Sequence, residues 1–122
     1  MSSEILDTIR MKLDAIARDP LDDEPVNDAA IETAWAFAKR FFSDVPEGPQ
    51  VFPTHDDGVQ FEFGKLYPSL DFEFDSTQRI EYVQFRADGC DDDGTTDLAD
   101  ADHIEALIGA YFEDLEIAGK VV

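Results

Sequence analysis

The chain has 122 residues, with 9 Lys and Arg against 29 Asp and Glu, a formal net charge of −20. Leu, Ile, Val and Phe supply 33 residues, about 27%, above the roughly 20% below which a highly charged chain stays disordered, so a folded domain is expected. So acidic a surface repels phosphate, which argues against direct binding of nucleic acid and against adhesion to anionic lipid.

The residues from 4 to 18 read as a first helix, because Ile5, Ile9, Leu13 and Ile16 recur at spacings that build one apolar stripe, with Ser2 or Ser3 as N-cap. Asp19-Pro20 stops it, and Pro20 to Pro25 forms an acidic connector. Asn27 or Asp28 caps a second helix through about Ser43. Its apolar set (Ile31, Ala34, Trp35, Phe37, Ala38, Phe41, Phe42, Val45) is wider than one face, which predicts a largely buried helix with Trp35, Phe37, Phe41 and Phe42 in the core.

After Pro46-Glu47-Gly48-Pro49 the period changes from helical to alternating. Val51 to Thr54 is a short extended piece, with Pro53 suited to a sheet edge. Asp56-Asp57-Gly58 signals a turn into Val59, Phe61 and Phe63, which alternate with Gln60 and Glu62. Gly64 to Ser69 turns again, and Leu70, Phe72 and Phe74 alternate with Asp71, Glu73 and Asp75. Within Ile80 to Arg86, Ile80 and Tyr82 point one way while Val83 and Phe85 point the other, which a bulge near Tyr82 or burial of both faces would explain. Asp88 to Gly94 reads as a loop. Thr96 or Asp97 then caps a third helix carrying Ala101, Ile104, Leu107, Ile108, Tyr111 and Leu115, which Gly119 ends.

The expected fold is therefore one α+β domain over 1–122, with helices in 1–45, an antiparallel meander of about four strands in 50–87, and an acidic loop and C-terminal helix in 88–122. No apolar run approaches the ~18 residues of a membrane span, and the acidic, periodic start is unlike a signal peptide, so a cytoplasmic location is expected.

The charge is uneven. From Asp88 to Val122 eleven acids face one base, Lys120, which is half of the net charge. A second focus runs from Asp19 to Asp28, and a third is the polar sheet face with Glu62, Asp71, Glu73 and Asp75, which Glu81 joins if the phase of its strand allows. Residues two apart on a strand repeat at roughly 6.6 Å on one side, so Asp71, Glu73 and Asp75 make a row on the scale of successive phosphates. Opposed like charges cost stability, and selection for stability alone would alternate the signs. The functional expectation is a non-enzymatic acidic protein that binds a basic partner protein, as a nucleic-acid-mimicking inhibitor or an antitoxin- or immunity-type neutraliser. Its expected contact residues are Glu62, Asp71, Glu73, Asp75, Asp91, Asp92, Asp93, Asp97 and Asp100. The competing expectation is a structural or housekeeping domain whose acidity serves solubility or salt adaptation, which four lysines and a large excess of Asp over Glu fit equally. A monomer, or a homodimer through a sheet edge, is compatible with either.

Catalytic, cofactor and metal sites are not expected. Placing Gly94 at position six of a calcium loop sets Asp91, Asp93, Thr95, Asp97 and Asp100 at ligand positions, but position one falls on Gly89 and position twelve is Asp where Glu is usual. His55 with Asp56 and Asp57 is simpler as a turn, and His103 reads as a surface residue beside a carboxylate. Cys90 is the only cysteine, which rules out an intrachain disulfide, and its acidic neighbours disfavour a reactive thiolate. Glu62 with Glu73 has the chemistry for general acid and base roles, without a neighbouring pocket signal.

The stretch from Phe52 to Phe63, with Leu70-Asp71-Phe72-Glu73-Phe74, resembles a P-T-x-[DE]-G-G-V-x-x-E-W hairpin and following L-x-[IVF]-E-[IVF] strand of small uncharacterised prokaryotic proteins. Asp57 replaces the first glycine of that pattern and Phe63 its tryptophan. The resemblance covers about 25 residues, implies a hairpin, and carries no functional residues with it. In size and charge the chain is also similar to phage-borne inhibitors and antitoxins.

Overall fold

The structure, a computed structural model, describes residues 3–18, 26–54, 58–64, 67–77 and 79–121. Helix α1 (Ser3–Arg18) and helix α2 (Asp28–Phe41) precede five strands, β1 (Gln50–Pro53), β2 (Val59–Phe63), β3 (Ser69–Phe74), β4 (Ile80–Phe85) and β5 (Asp91–Thr96), and helix α3 (Ala101–Val121) follows. Ser3 lies inside α1 and so is not its cap, while Ser2, the 19–25 connector and the 55–57 turn lie outside the described residues. Asn27 does cap α2, its Oδ1 accepting the Ala29 N–H at 2.8 Å, and the helix ends on Phe42, whose N–H donates to Ala38 O.

The sheet is a pure meander in the order β1-β2-β3-β4-β5, every pair antiparallel. Five strands replace the expected four, because Asp91 to Thr96 is a strand and not a loop. A turn makes this possible. Gly89 takes φ of +89°, its N–H donates to Arg86 O, and Cys90 N–H donates to Asp88 Oδ1, which returns the chain alongside β4. The third helix accordingly starts at Ala101, later than a cap at Thr96 or Asp97 would place it, and it runs through Gly119 to Val121.

Registry along β3 and β4 is continuous from Ser69↔Phe85 to Phe74↔Ile80, so β4 contains no bulge at Tyr82. The phase shift seen in its sequence has the other cause. Ile80, Tyr82 and Gln84 are buried beneath the helices, while Val83 and Phe85 are half-buried on the opposite face. Gln84 is tolerated inside because its Nε2 donates to Leu107 O at 2.9 Å, leaving that amide group partnered.

All three helices pack on one side of the sheet. Phe37 of α2 is fully buried at the centre, with ring centroids of Phe41, Phe42, Phe61, Phe72 and Phe74 between 4.8 and 6.3 Å away. Each such ring contributes about 1.5–3 kcal/mol through burial. Ile9, Leu13 and Ile16 bring the stripe of α1 into the same core, and Ile104, Leu107, Ile108 and Tyr111 bring that of α3. Trp35 differs from expectation. It is half-buried at the border of α1, with Arg10 and Lys39 over its ring at 5.3 and 5.6 Å.

A charged clasp closes α3 onto the sheet. Nε and Nη2 of Arg86 donate to the two carboxylate oxygens of Asp114, whose Oδ2 also accepts the Ala87 N–H at 3.2 Å. Three donors on one buried carboxylate hold its pKa below the ordinary value, with the Arg86 hydrogen bond as the main cause.

Candidate interaction face

The face of the sheet turned away from the helices is defined by the register. One row across the strands reads Gln50, Glu62, Asp71, Val83 and Asp93, the next reads Phe52, Gln60, Glu73, Glu81 and Thr95, and a third adds Ser69, Phe85 and Asp91. Glu62, Asp71, Glu73, Glu81, Asp91 and Asp93 therefore share one surface, and none of the five strands contains a Lys or Arg. Glu81, which the sequence left open, joins the set directly opposite Glu73.

Backbone geometry explains which acids interact most. Thr54 N–H donates to Gly58 O, and hydrogen-bonded pairs alternate from there, which makes Glu62↔Asp71 a non-hydrogen-bonded pair whose side chains approach more closely. Asp71 is accordingly perturbed. Burial, and then the charge of Glu62, push its pKa up to about 6. Its Oδ1 is buried and accepts no hydrogen bond. A carboxylate in that position is destabilised as an anion and holds its proton into mildly acidic conditions.

The other expected contact residues divide. Asp75 follows β3 and serves its turn, Oδ1 accepting from Thr77 N–H at 2.7 Å and from Thr77 Oγ1 at 2.6 Å, which lowers its pKa. Asp92 lies on the opposite side of β5 from Asp91 and Asp93, since strand side chains alternate. Asp91 to Thr96 is an extended strand, so Asp91, Asp93 and Thr95 are spread along one side of it and do not curl round a common centre as a calcium loop requires. Asp97 accepts the Ala99 N–H at 2.9 Å in the turn before α3, and the Asp100 carbonyl accepts the Ile104 N–H. The Asp100 carboxylate sits 3.7 Å from His103 Nδ1, and His103 packs edge-on against Tyr82. Neither Asp97 nor Asp100 belongs to the sheet surface. Among the described residues, no three His, Cys, Asp or Glu side chains are grouped to hold a metal ion.

Apolar groups interrupt the acidic rows. Val83 and Phe85 are half-buried there, Phe52 is exposed, and exposed Tyr67 packs edge-on against Phe85 with centroids 5.5 Å apart. The opposed phase of Val83 and Phe85 in the sequence is the signal of this. Exposed Cys90 sits at the β4–β5 turn, where a hydrogen bond with Asp88 and then the charge of Asp88 raise its pKa and suppress the thiolate. A separate cleft of about 680 Å³ lies between α2 and the loops at one sheet end, and Asp97 is its only lining residue from the expected contact set.

Among the described residues, no helix is long and apolar enough to cross a membrane. Comparison with known protein families, curated proteins and solved structures finds no match for the chain.

Proposed function

We propose that the chain is a non-enzymatic, cytoplasmic acidic protein that engages a basic partner protein through the open sheet face, as a nucleic-acid-mimicking inhibitor or an antitoxin- or immunity-type neutraliser. The observation that carries this reading is the contiguity of Glu62, Asp71, Glu73, Glu81, Asp91 and Asp93 on strands without a single basic residue. Such a surface attracts cationic groups and costs the isolated protein stability. The half-buried Val83 and Phe85 add apolar area that a bound partner would remove from water. The test is capture of basic proteins by the immobilised chain at about 0.1 M salt, where the Debye length is about 10 Å, and at about 1 M, where it is about 3 Å. A partner released by salt, and no longer captured by a chain carrying Glu62→Gln, Asp71→Asn and Glu81→Gln, supports the reading. Capture indifferent to both overturns it.

A second reading has its own support. Exposed acids also decorate the helices, including Glu4, Asp7 and Asp14 on α1, Asp28 and Glu32 on α2, and Asp102, Glu105 and Glu113 on α3. That distribution suits acidity kept for solubility or a saline interior. Unfolding that becomes cooperative only in molar salt would favour it over the partner-binding reading.

A further inference from the structure

The two edges of the sheet are unlike. Residues of β1 that bond to β2 include Phe52, so Val51 and Pro53 turn their backbone outward, and Pro53 has no N–H to offer. Strand β1 also has α1 packed against it. That edge is short and blunted.

Strand β5 is the opposite case. Arg86 N–H donates to Cys90 O at 2.8 Å, and alternation from that bond directs Asp92, Gly94 and Thr96 toward β4. The outward N–H and C=O groups therefore belong to Asp91, Asp93 and Thr95. No proline interrupts them, and every β5 residue except Thr96 is exposed. Asp and Gly are poor strand formers, and the segment is held by its ladder to β4 and by the Tyr82 ring lying against Gly94. A second copy of the chain is a poor occupant, because the antiparallel pairing that uses Asp91, Asp93 and Thr95 of both edges sets Asp93 directly opposite Asp93 and brings two acidic edges together with no cation to offset them.

We infer that the β5 edge accepts a Lys- or Arg-bearing extended segment of the partner as a sixth strand, hydrogen-bonded to Asp91, Asp93 and Thr95. This deepens the acid-for-base reading above and rests on it. The backbone groups supply the pairing, and the aspartates on both sides of the strand select cationic side chains against neutral or acidic ones.

The probe is a synthetic peptide of about seven residues alternating lysine and valine, long enough to form one strand. Titrated into isotope-labelled protein, it should slow hydrogen exchange of the Asp91, Asp93 and Thr95 amides by about tenfold or more. Methylating the nitrogen of its central peptide bond should weaken binding by about tenfold, since one donor is lost and the strand can no longer lie close. Asp93→Pro should do the same from the protein side while β4 amides stay protected, and the methylated peptide keeps the test sound if that variant does not fold. Chemical-shift changes confined to Glu62, Asp71, Glu73 and Glu81, with no slowing at the edge amides, would overturn strand addition and leave the face reading standing. Absence of any salt-sensitive binding would defeat both. Edge protection that grows with protein concentration alone would assign β5 to a second copy and overturn the proposal.

Discussion

The same strands carry two surfaces that obey different rules. Toward the helices, Val59, Phe61, Phe63, Leu70, Phe72, Phe74 and Ile80 are almost fully buried, each neighbour filling space left by the next. One residue further along each strand, the opposite face sets Glu62 against Asp71 and Glu73 against Glu81. The covered side maximises contact, whereas the open side retains repulsion that any lysine in either pair would relieve. Stability accounts for the first surface and does not account for the second. Binding a cationic partner would account for the open side.

The sharpest way to break the contrast is to damage the covered side. Phe37→Ala removes the ring at the centre of five others and should cost about 3–5 kcal/mol, read as a lowered urea midpoint or outright loss of the transition. Next comes the clasp. Asp114→Ala leaves the Arg86 guanidinium and the Ala87 N–H without their acceptor and should cost about 2 kcal/mol by the same measurement.

On the open side the signs reverse. Asp71→Asn should stabilise the protein at neutral pH by about 1 kcal/mol, after allowance for the partial exposure of that side chain to screening solvent. The pH dependence follows from both carboxyls. Asp71 has a folded pKa of about 6 against an ordinary 3.8, so the folded state binds its proton more readily and stability falls as pH rises from about 4 to 6. Asp114 has a lowered folded pKa, so its contribution is present above the ordinary carboxylate value and is lost as pH falls through the folded one. Unfolding followed across pH should therefore show greatest stability in mildly acidic buffer, and Asp71→Asn should flatten the upper limb alone. The smallest effect is expected from Glu81→Lys, which places a cation opposite Glu73 and should add about 0.2–1 kcal/mol, diminishing with salt. It should also weaken a basic partner, separating binding from stability in one variant.

Much of this arrangement was legible in the chain. The stripe Ile9, Leu13 and Ile16, the Asn27 cap, the edge placement of Pro53 and the alternation in β2 and β3 all appear in the structure as local patterns predict. What escaped prediction was carried by distant partners. Asp91-Asp92-Asp93-Gly94 has almost no intrinsic strand preference, and it becomes a strand because the turn at Asp88-Gly89 delivers it to the free side of β4. Trp35 reads as core from its period, yet it stays at the rim where Arg10 and Lys39 cover its faces. Gly119 reads as a helix end, but α3 continues past it. Of the expected contact residues, alternation correctly grouped Glu62, Asp71 and Glu73. It could not reveal the register that opposes Glu62 to Asp71, nor the local turns that occupy Asp75 and Asp97.

The meander order has a kinetic corollary. Each hydrogen-bonded strand neighbour is also the next strand along the chain, so the sheet closes through short loops and never waits for a distant segment. Low contact order of this kind favours rapid assembly, hairpin upon hairpin. During that interval the nascent ribbon already carries like charges on its uncovered flank, and two half-formed copies approaching flank to flank would repel. A feature costly to the finished molecule would then protect it while it is being made.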